Sequence, residues 1–351
     1  TVRNLTEAYG GRIRTKKVIG PAGAPVNAEY GIIQGLGDPE SSASGPGGRG
    51  SLCIIEMAEA AGITLLKEHE LNPMTTTTYG LGELIKDALD RGCRTFVVGL
   101  GGSATNDGGC GMAAALGYRF TDGDGKDIAG PGGMAGPGSS DIGGAAGSVM
   151  EPGGMAGPGS TDIGGVGDPA GRTLAGPGGN LTAPTGGSLG RLCRIETEAV
   201  DRRIFESDFR IACDVTNPLC GENGASRIFG PQKGASEEEV LQLDANLRNL
   251  AEVIRRDLGA DVIDIPGAGA AGGLGAGAIA FLGGRLYEGA KLIAGLLDLE
   301  EKIKNADLVI TGEGRFDRQT LSGKAPGRVI AMANEHGIPS IVIAGSVDPD
   351  L

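Results

Sequence analysis

VVGLGGSATNDGGCGMAAALG (97–117) joins three kinds of sequence in one short stretch. Arg94–Leu100 (RTFVVGL) is apolar, β-branched and bounded by glycine, which predicts a buried strand. The residues from Gly101 to Gly109 are small or polar, and the alanine-rich run Gly108–Leu116 predicts a helix. A buried strand that feeds a glycine loop and then a helix is the start of an α/β unit. Glycines let a backbone adopt φ > 0 and approach a ligand closely. Free N–H groups at a helix start attract phosphate or carboxylate. Gly101, Gly102, Ser103, Thr105 and Asn106 are therefore candidate binding residues, and Asp107 is a candidate for Mg²⁺ or a substrate hydroxyl. No GK[ST] closes the loop, so it is not a P-loop, and its glycines do not follow the dinucleotide-binding order.

The pattern continues on both sides. Arg12–Gly20 and Val26–Gln34 read as two strands joined at a turn around Pro21–Pro25, and Leu52–Met57 as a third. Leu81, Leu84, Ile85, Ala88 and Leu89 recur at helical spacing, which predicts an amphipathic helix over 79–91. Phe209–Cys213 is a short strand. Ser236 and Glu239 form a capping box ahead of a helix striped by Val240, Leu243, Leu247, Leu250, Ile254 and Leu258. Ala271–Leu282 predicts a tightly packed helix of small residues. Asp307–Ile310, Gly323–Glu335 and Ile338–Ala344 read as strand, helix and strand, the helix stopping at Gly337. The class is α/β with a mixed sheet, because the 12–34 hairpin sits beside βαβ units.

Composition narrows the function. Acidic residues outnumber basic ones, 44 to 31, for a net charge of −13 across 351 residues. A nucleic-acid or anionic-membrane binder needs the opposite surface, so neither partner is expected. No apolar run reaches the ~18 residues of a membrane span, and the first residues carry no signal-peptide core. Two His and six scattered Cys leave no metal-ligand spacing and no nucleophile–histidine pair. Such Cys suit a reducing cytoplasm, and the Asn4 and Asn180 sequons read as chance. GGMAGPGSSDIGG (132–144) returns as GGMAGPGSTDIGG (153–165) within a Gly- and Pro-rich stretch. Each copy has too few apolar side chains to offset its ordering entropy, so 130–175 is expected to be a flexible insert. SSASGPGGRG (41–50) is a smaller loop of the same kind.

Four further segments carry candidate chemistry. LVITGEGRFDRQTLSGKAPG (308–327) places Thr311 at a strand end, followed by Gly312, Glu313, Arg315, Asp317, Gln319, Ser322 and Lys324. Ligands of open α/β sheets bind at the carboxyl ends of strands. Arg315 and Lys324 suit phosphate or carboxylate oxygens, and Glu313 and Asp317 suit a metal or a proton. ACDVTNPLCGENGASRIFGPQKGAS (212–236) puts Asp214 and Asn217 after a strand, with Arg227, Gln232 and Lys233 beyond. IPGAGAAGGLGAGAIAFLG (265–283) reads as close helix packing. NPMTTTTYGLGELI (72–85) offers four Thr to cap a helix or bind an anion.

With these segments in view, the chain resembles the type I glycerate kinase family. GLGGSATNDGGCGMAAALG (99–117) is similar to that family's most distinctive block. NPMTTTTYGLGELI (72–85), CDVTNPLCGENGAS (213–226), FGPQKGA (229–235), PGAGAAGGLGAG (266–277) and TGEGRFDRQTLSGK (311–324) are similar to others, in the family's order. The resemblance implies ATP- and Mg²⁺-dependent phosphorylation of D-glycerate to 2-phosphoglycerate, with 3-phosphoglycerate as the older assignment. It implies two α/β domains with the active site between them. One is Rossmann- or flavodoxin-like and built from both chain ends; the other is inserted. On that basis 1–284 is the inserted domain and 285–351 is part of the Rossmann-like one. The 130–175 insert departs from the family. So do the ends: the chain starts after the family's PDSFK-like and DGGEG-like segments and stops before its last helix and strand. It therefore reads as a fragment whose 307–344 unit exposes a sheet edge and an apolar face.

In mechanism, a glycine loop is expected to hold ATP phosphates, and Arg315 and Lys324 to hold phosphate or the glycerate carboxylate. Asp107, Asp214 or Asp317 would hold Mg²⁺ or orient the attacking hydroxyl, with Asp107 and Asp214 first for the metal. The rival reading is a truncated, non-catalytic remnant that binds a small ligand or a partner.

Overall fold

The structure is a computed structural model that describes residues 2–36, 50–128, 183–316 and 325–348. The expected 130–175 insert lies outside the described residues, as do Asp317, Gln319 and Lys324.

The helices are α1 (Val2–Ala8), α2 (Ala58–Ala61), α3 (Tyr79–Asp90), α4 (Cys110–Ala115), α5 (Ala225–Phe229), α6 (Glu237–Leu258), α7 (Ala270–Leu282), α8 (Gly289–Leu296), α9 (Leu299–Lys304) and α10 (Ala325–Glu335). The strands are β1 (Arg12–Ile19), β2 (Pro25–Ile33), β3 (Leu52–Glu56), β4 (Thr95–Gly99), β5 (Arg119–Thr121), β6 (Arg194–Glu196), β7 (Asp208–Ala212), β8 (Arg285–Tyr287), β9 (Val309–Phe316) and β10 (Ser340–Val347).

Six strands form one sheet in the order β1-β2-β3-β4-β7-β8. The β1–β2 hairpin and the β2–β3 pair are antiparallel, whereas β3, β4, β7 and β8 run parallel. The sheet is mixed, as the sequence predicts. Its centre is buried on both faces, so alternate residues feed two apolar layers. Cys53, Ile55, Phe96, Val98, Phe209 and Ile211 join the layer that includes residues of α3, α4 and α7. Leu52, Ile54 and Val97 join the opposite layer with Val2, Leu5 and Leu292 of α1 and α8. Phe96 stacks on Phe209 across β4 and β7 with ring centroids 4.6 Å apart. β5 and β6 form a separate antiparallel pair.

α6 carries the expected cap: the Ser236 N–H donates to Glu239 Oε2 at 2.8 Å, and the Glu239 N–H donates to Ser236 Oγ at 3.2 Å. α7 is not regular at its start. Ala271, Gly272 and Gly273 have φ of 52°, 68° and 87°, so the regular helix begins at Leu274. A Cβ on Gly272 would lie 2.0 Å from the Thr105 carbonyl oxygen, so glycine is what lets this segment lie against the 101–109 loop.

β8, which opens the second of the two expected domains, pairs in parallel with β7. One expectation needs correction. The strand expected to end at Ile310 continues to Phe316, because β10 offers a parallel partner along its whole length. Thr311, Gly312, Glu313 and Arg315 therefore lie on β9 opposite Val342, Ile343, Ala344 and Ser346, not on a loop. β9 and β10 form a separate two-stranded sheet with α10 between them in sequence. No helix among the described residues is long and apolar enough to cross a membrane.

Candidate active site

β4 and β7 end side by side, and the chain leaves each strand into a polar segment: Leu100–Asp107 after β4, Cys213–Asn217 after β7. A cavity of about 430 Å³ opens at these carboxyl ends. Gly101, Gly102 and Ser103 line one side, Cys213, Asp214 and Val215 another, and Gln232 and Lys233 a third. Ile63, Leu100 and Phe229 supply apolar wall. The described lining residues all lie between Ile63 and Ala271. The sequence reading puts the site between two domains.

The glycine loop divides into an open and a buried part. Gly101 and Gly102 are exposed, and Gly102 takes φ +74°, which a side chain would strain. Ser103, Thr105, Asn106 and Asp107 are buried. The Asn106 amide donates to Ser226 Oγ at 3.1 Å, while its own Oδ1 and Thr105 Oγ1 have no hydrogen-bond partner.

Asp107 is fully engaged with the protein. Its Oδ2 accepts from the Thr78 N–H at 2.7 Å, the Thr78 hydroxyl at 2.8 Å and the Gly111 N–H at 3.1 Å, and Oδ1 accepts from the Gly109 N–H at 3.2 Å. Thr78 Oγ1 accepts in turn from the Met112 N–H at 2.9 Å. Asp107 and Thr78 thus tie the starts of α3 and α4 together, which accounts for one of the four Thr of 75–78. Burial raises the Asp107 carboxyl above its ordinary range, against the pull of those four donors.

Asp214 is different. It is exposed at the cavity, and its Oδ1 accepts the Gly289 N–H at the start of α8, at 2.8 Å. Asn217 donates from its amide to the Asn223 carbonyl at 2.8 Å and does not line the cavity. Neither do Thr311, Gly312, Glu313 and Arg315. Glu313 Oε1 is buried without a hydrogen-bond partner.

Lys233, named in the sequence with Arg227 and Gln232 but given no role there, stands in the FGPQKGA block. It is 1% exposed, and its Nζ donates to Ser103 Oγ and to the Thr105 carbonyl, both at 2.7 Å. Burial pulls its ammonium down to about 7, with the Asp107 charge opposing. A lysine between glycines looks like a solvated turn in sequence; only the packing of 231–233 under the loop buries it.

Mg²⁺ in phosphoryl-transfer sites is held by one or two carboxylates with substrate phosphates and water, not by a full protein cage. Among the described residues no cluster of three His, Cys, Asp or Glu could hold a metal. Asp214, exposed at the cavity, fits such a minimal site. Asp107 does not, since both its oxygens are already occupied by donors of the fold.

Comparison with known proteins bears on the family and the fold. The model of the glycerate kinase family matches residues 1–148 and 154–351, so the match is interrupted only at 149–153, a narrower gap than the insert expected from composition. The chain is 40% identical over 351 residues to a glycerate 2-kinase of Escherichia coli, covering 100% of this chain and 74% of that one. It is 39% identical to a glycerate kinase of Halalkalibacterium halodurans, covering 99% of this chain and 73% of the relative. The crystal structure of a putative glycerate kinase 2 from Salmonella typhimurium superposes with a TM-score of 0.75 at 38% identity, over 99% of this chain and 74% of that one. A family match over all but residues 149–153, near-40% identity along the whole length and a shared fold together place the chain in the glycerate kinase family.

Proposed function

We propose that the chain is an ATP-dependent kinase that phosphorylates D-glycerate, with 2-phosphoglycerate as product and Mg²⁺ as the metal. The observation that carries this reading is the cavity at the ends of β4 and β7, with open glycine backbone on one side and on the other the exposed Asp214 carboxylate, held by a single N–H. Phosphoryl transfer asks a protein for positioning and charge neutralisation more than for covalent chemistry. Among the described residues no histidine lines the cavity, and burial raises the thiol of its Cys213.

In this reading the exposed backbone of Gly101 and Gly102 receives phosphate oxygens of ATP, because no side chain keeps them at a distance. Asp214 would hold Mg²⁺ together with those oxygens. The metal would supply positive charge against the phosphates. Ser103, Thr105, Asn106 and Asp107 shape the loop from beneath. Arg315, Gln319, Asp317 and Lys324 remain candidates for the glycerate side. The glycerate hydroxyl oxygen bonds to the γ-phosphorus and loses its proton, and the bond from that phosphorus to ADP breaks. A cytoplasmic location goes with this reading.

The test is ADP release on adding D-glycerate and Mg²⁺, with ³¹P NMR to identify the phosphorylated carbon. Asp214→Asn is expected to lower kcat/KM by ~100-fold or more. Absence of ADP release from D-glycerate overturns the reading; release with the phosphate on the terminal hydroxyl overturns only the 2-phospho assignment.

A further inference from the structure

We propose that Lys233 is a substrate-binding residue whose ammonium takes one oxyanion oxygen, from the nucleotide phosphates or from the hydroxy-acid carboxylate, at the floor of the cleft. This rests on the kinase reading and adds to it a side-chain cation at the cavity itself. Among the described residues that line the cavity, Lys233 alone is basic and Asp214 alone is acidic. Two anionic substrates meeting in a chain of net charge −13 need a positive group where they meet.

The geometry leaves that group a free valence. An ammonium has three hydrogens. Two go to Ser103 Oγ and the Thr105 carbonyl, both 2.7 Å away. Those two bonds hold Nζ under the loop, and its third hydrogen has no partner among the described residues. The backbone is equally fixed. The Lys233 N–H donates to the Gly230 carbonyl at 3.0 Å, and the next residue, Gly234, sits at φ +94° against Leu71, where a Cβ would lie 2.4 Å from the Leu71 carbonyl oxygen.

A purely structural account makes Lys233 the counter-charge of Asp107. The hydrogen bonds speak against it. Asp107 takes its four donors from Thr78, Gly109 and Gly111, and none from Lys233. Two neutral acceptors could also be bridged by a neutral donor, at far lower desolvation cost than a buried ammonium.

The test measures binding of ATP and of D-glycerate separately, by calorimetry, to the wild type, Lys233→Met and Lys233→Arg, with melting temperature as the check on folding. A folded K233M is expected to lose ~10-fold or more in affinity for one of the two anions and to keep the other within about twofold. The anion that weakens identifies the source of the oxygen. K233R is expected to recover part of the loss. Affinities for both anions unchanged in folded K233M overturn the proposal. Should K233M fail to fold, the ¹⁵Nζ resonance of Lys233 in the wild type, assigned by its absence from K233R, decides: it shifts on adding one anion if the proposal holds, and stays unmoved by both if it does not. A wild type that binds both anions but releases no ADP refutes the kinase reading and leaves this test intact.

Discussion

The six-stranded sheet and the β9–β10 pair are built from similar β-branched sequence, yet they bury it to different extents. TFVVG of β4 is buried almost throughout, between β3 and β7 and under helices on both faces. Among the described residues SIVIAGSV of β10 has one partner, β9, and its first five residues alternate half-buried with exposed. Ile310 and Ile343 remain 62% and 65% exposed, with Ile341 and Val347 beside them. An apolar strand is therefore stabilised by what covers it rather than by its own propensity. The cavity and its charged residues belong to the covered region, where rigid packing can hold a loop in place.

The largest expected contrast is in core truncation. Phe96→Ala removes a fully buried ring stacked on Phe209 and is expected to cost about 3–5 kcal/mol in denaturant unfolding. A cost below ~1 kcal/mol would show the central sheet to be no better packed than the peripheral pair.

The next effect depends on pH. The folded Lys233 ammonium titrates near 7, against 10.5 in the unfolded chain. Between those values the unfolded chain holds a proton that the folded chain has released. Stability from this group therefore rises with pH across that window, by up to ~1.4 kcal/mol per pH unit. Melting curves of wild type and K233M at pH 7 to 9 check this: the wild type is expected to gain on the variant as pH rises. A constant difference would place the ammonium outside the buried region.

Ser236→Ala removes the side-chain half of the α6 cap and is expected to cost about 1 kcal/mol, since the Glu239 N–H then loses its acceptor. Smallest is Ile343→Ala on β10, expected within about ±0.5 kcal/mol by unfolding because the side chain is mostly in water. Ile343→Lys sharpens the same point. It is expected to lower self-association in light scattering while leaving the melting temperature nearly unchanged.

Much of this was legible from the chain alone, for local reasons. The apolar β-branched run bounded by glycine located β4 to within a residue, and the period of Leu81, Leu84, Ile85, Ala88 and Leu89 located α3. The Ser236–Glu239 pair gave the start of α6, because a capping box acts over four consecutive residues. The ordered glycine-rich blocks carried the family resemblance. Elements whose signal is short or shared were missed: α1, α8 and the three-residue strands β5, β6 and β8 have too few residues to show a period.

What only the tertiary structure decided is which polar groups of the loop are used by the fold and which face the cavity. Asp107 and Asp214 are both acids just past a strand, and in sequence they are equal candidates. Packing of α3 against α4 surrounds Asp107 with four donors, while the end of β7 leaves Asp214 at the cavity. Lys233 is distant in sequence from Ser103 and Thr105, and no periodicity relates them; folding brings its ammonium to 2.7 Å from both. Helix and strand patterns are recorded by neighbours along the chain. Burial of a charge depends on segments more than a hundred residues apart, so only their packing determines it.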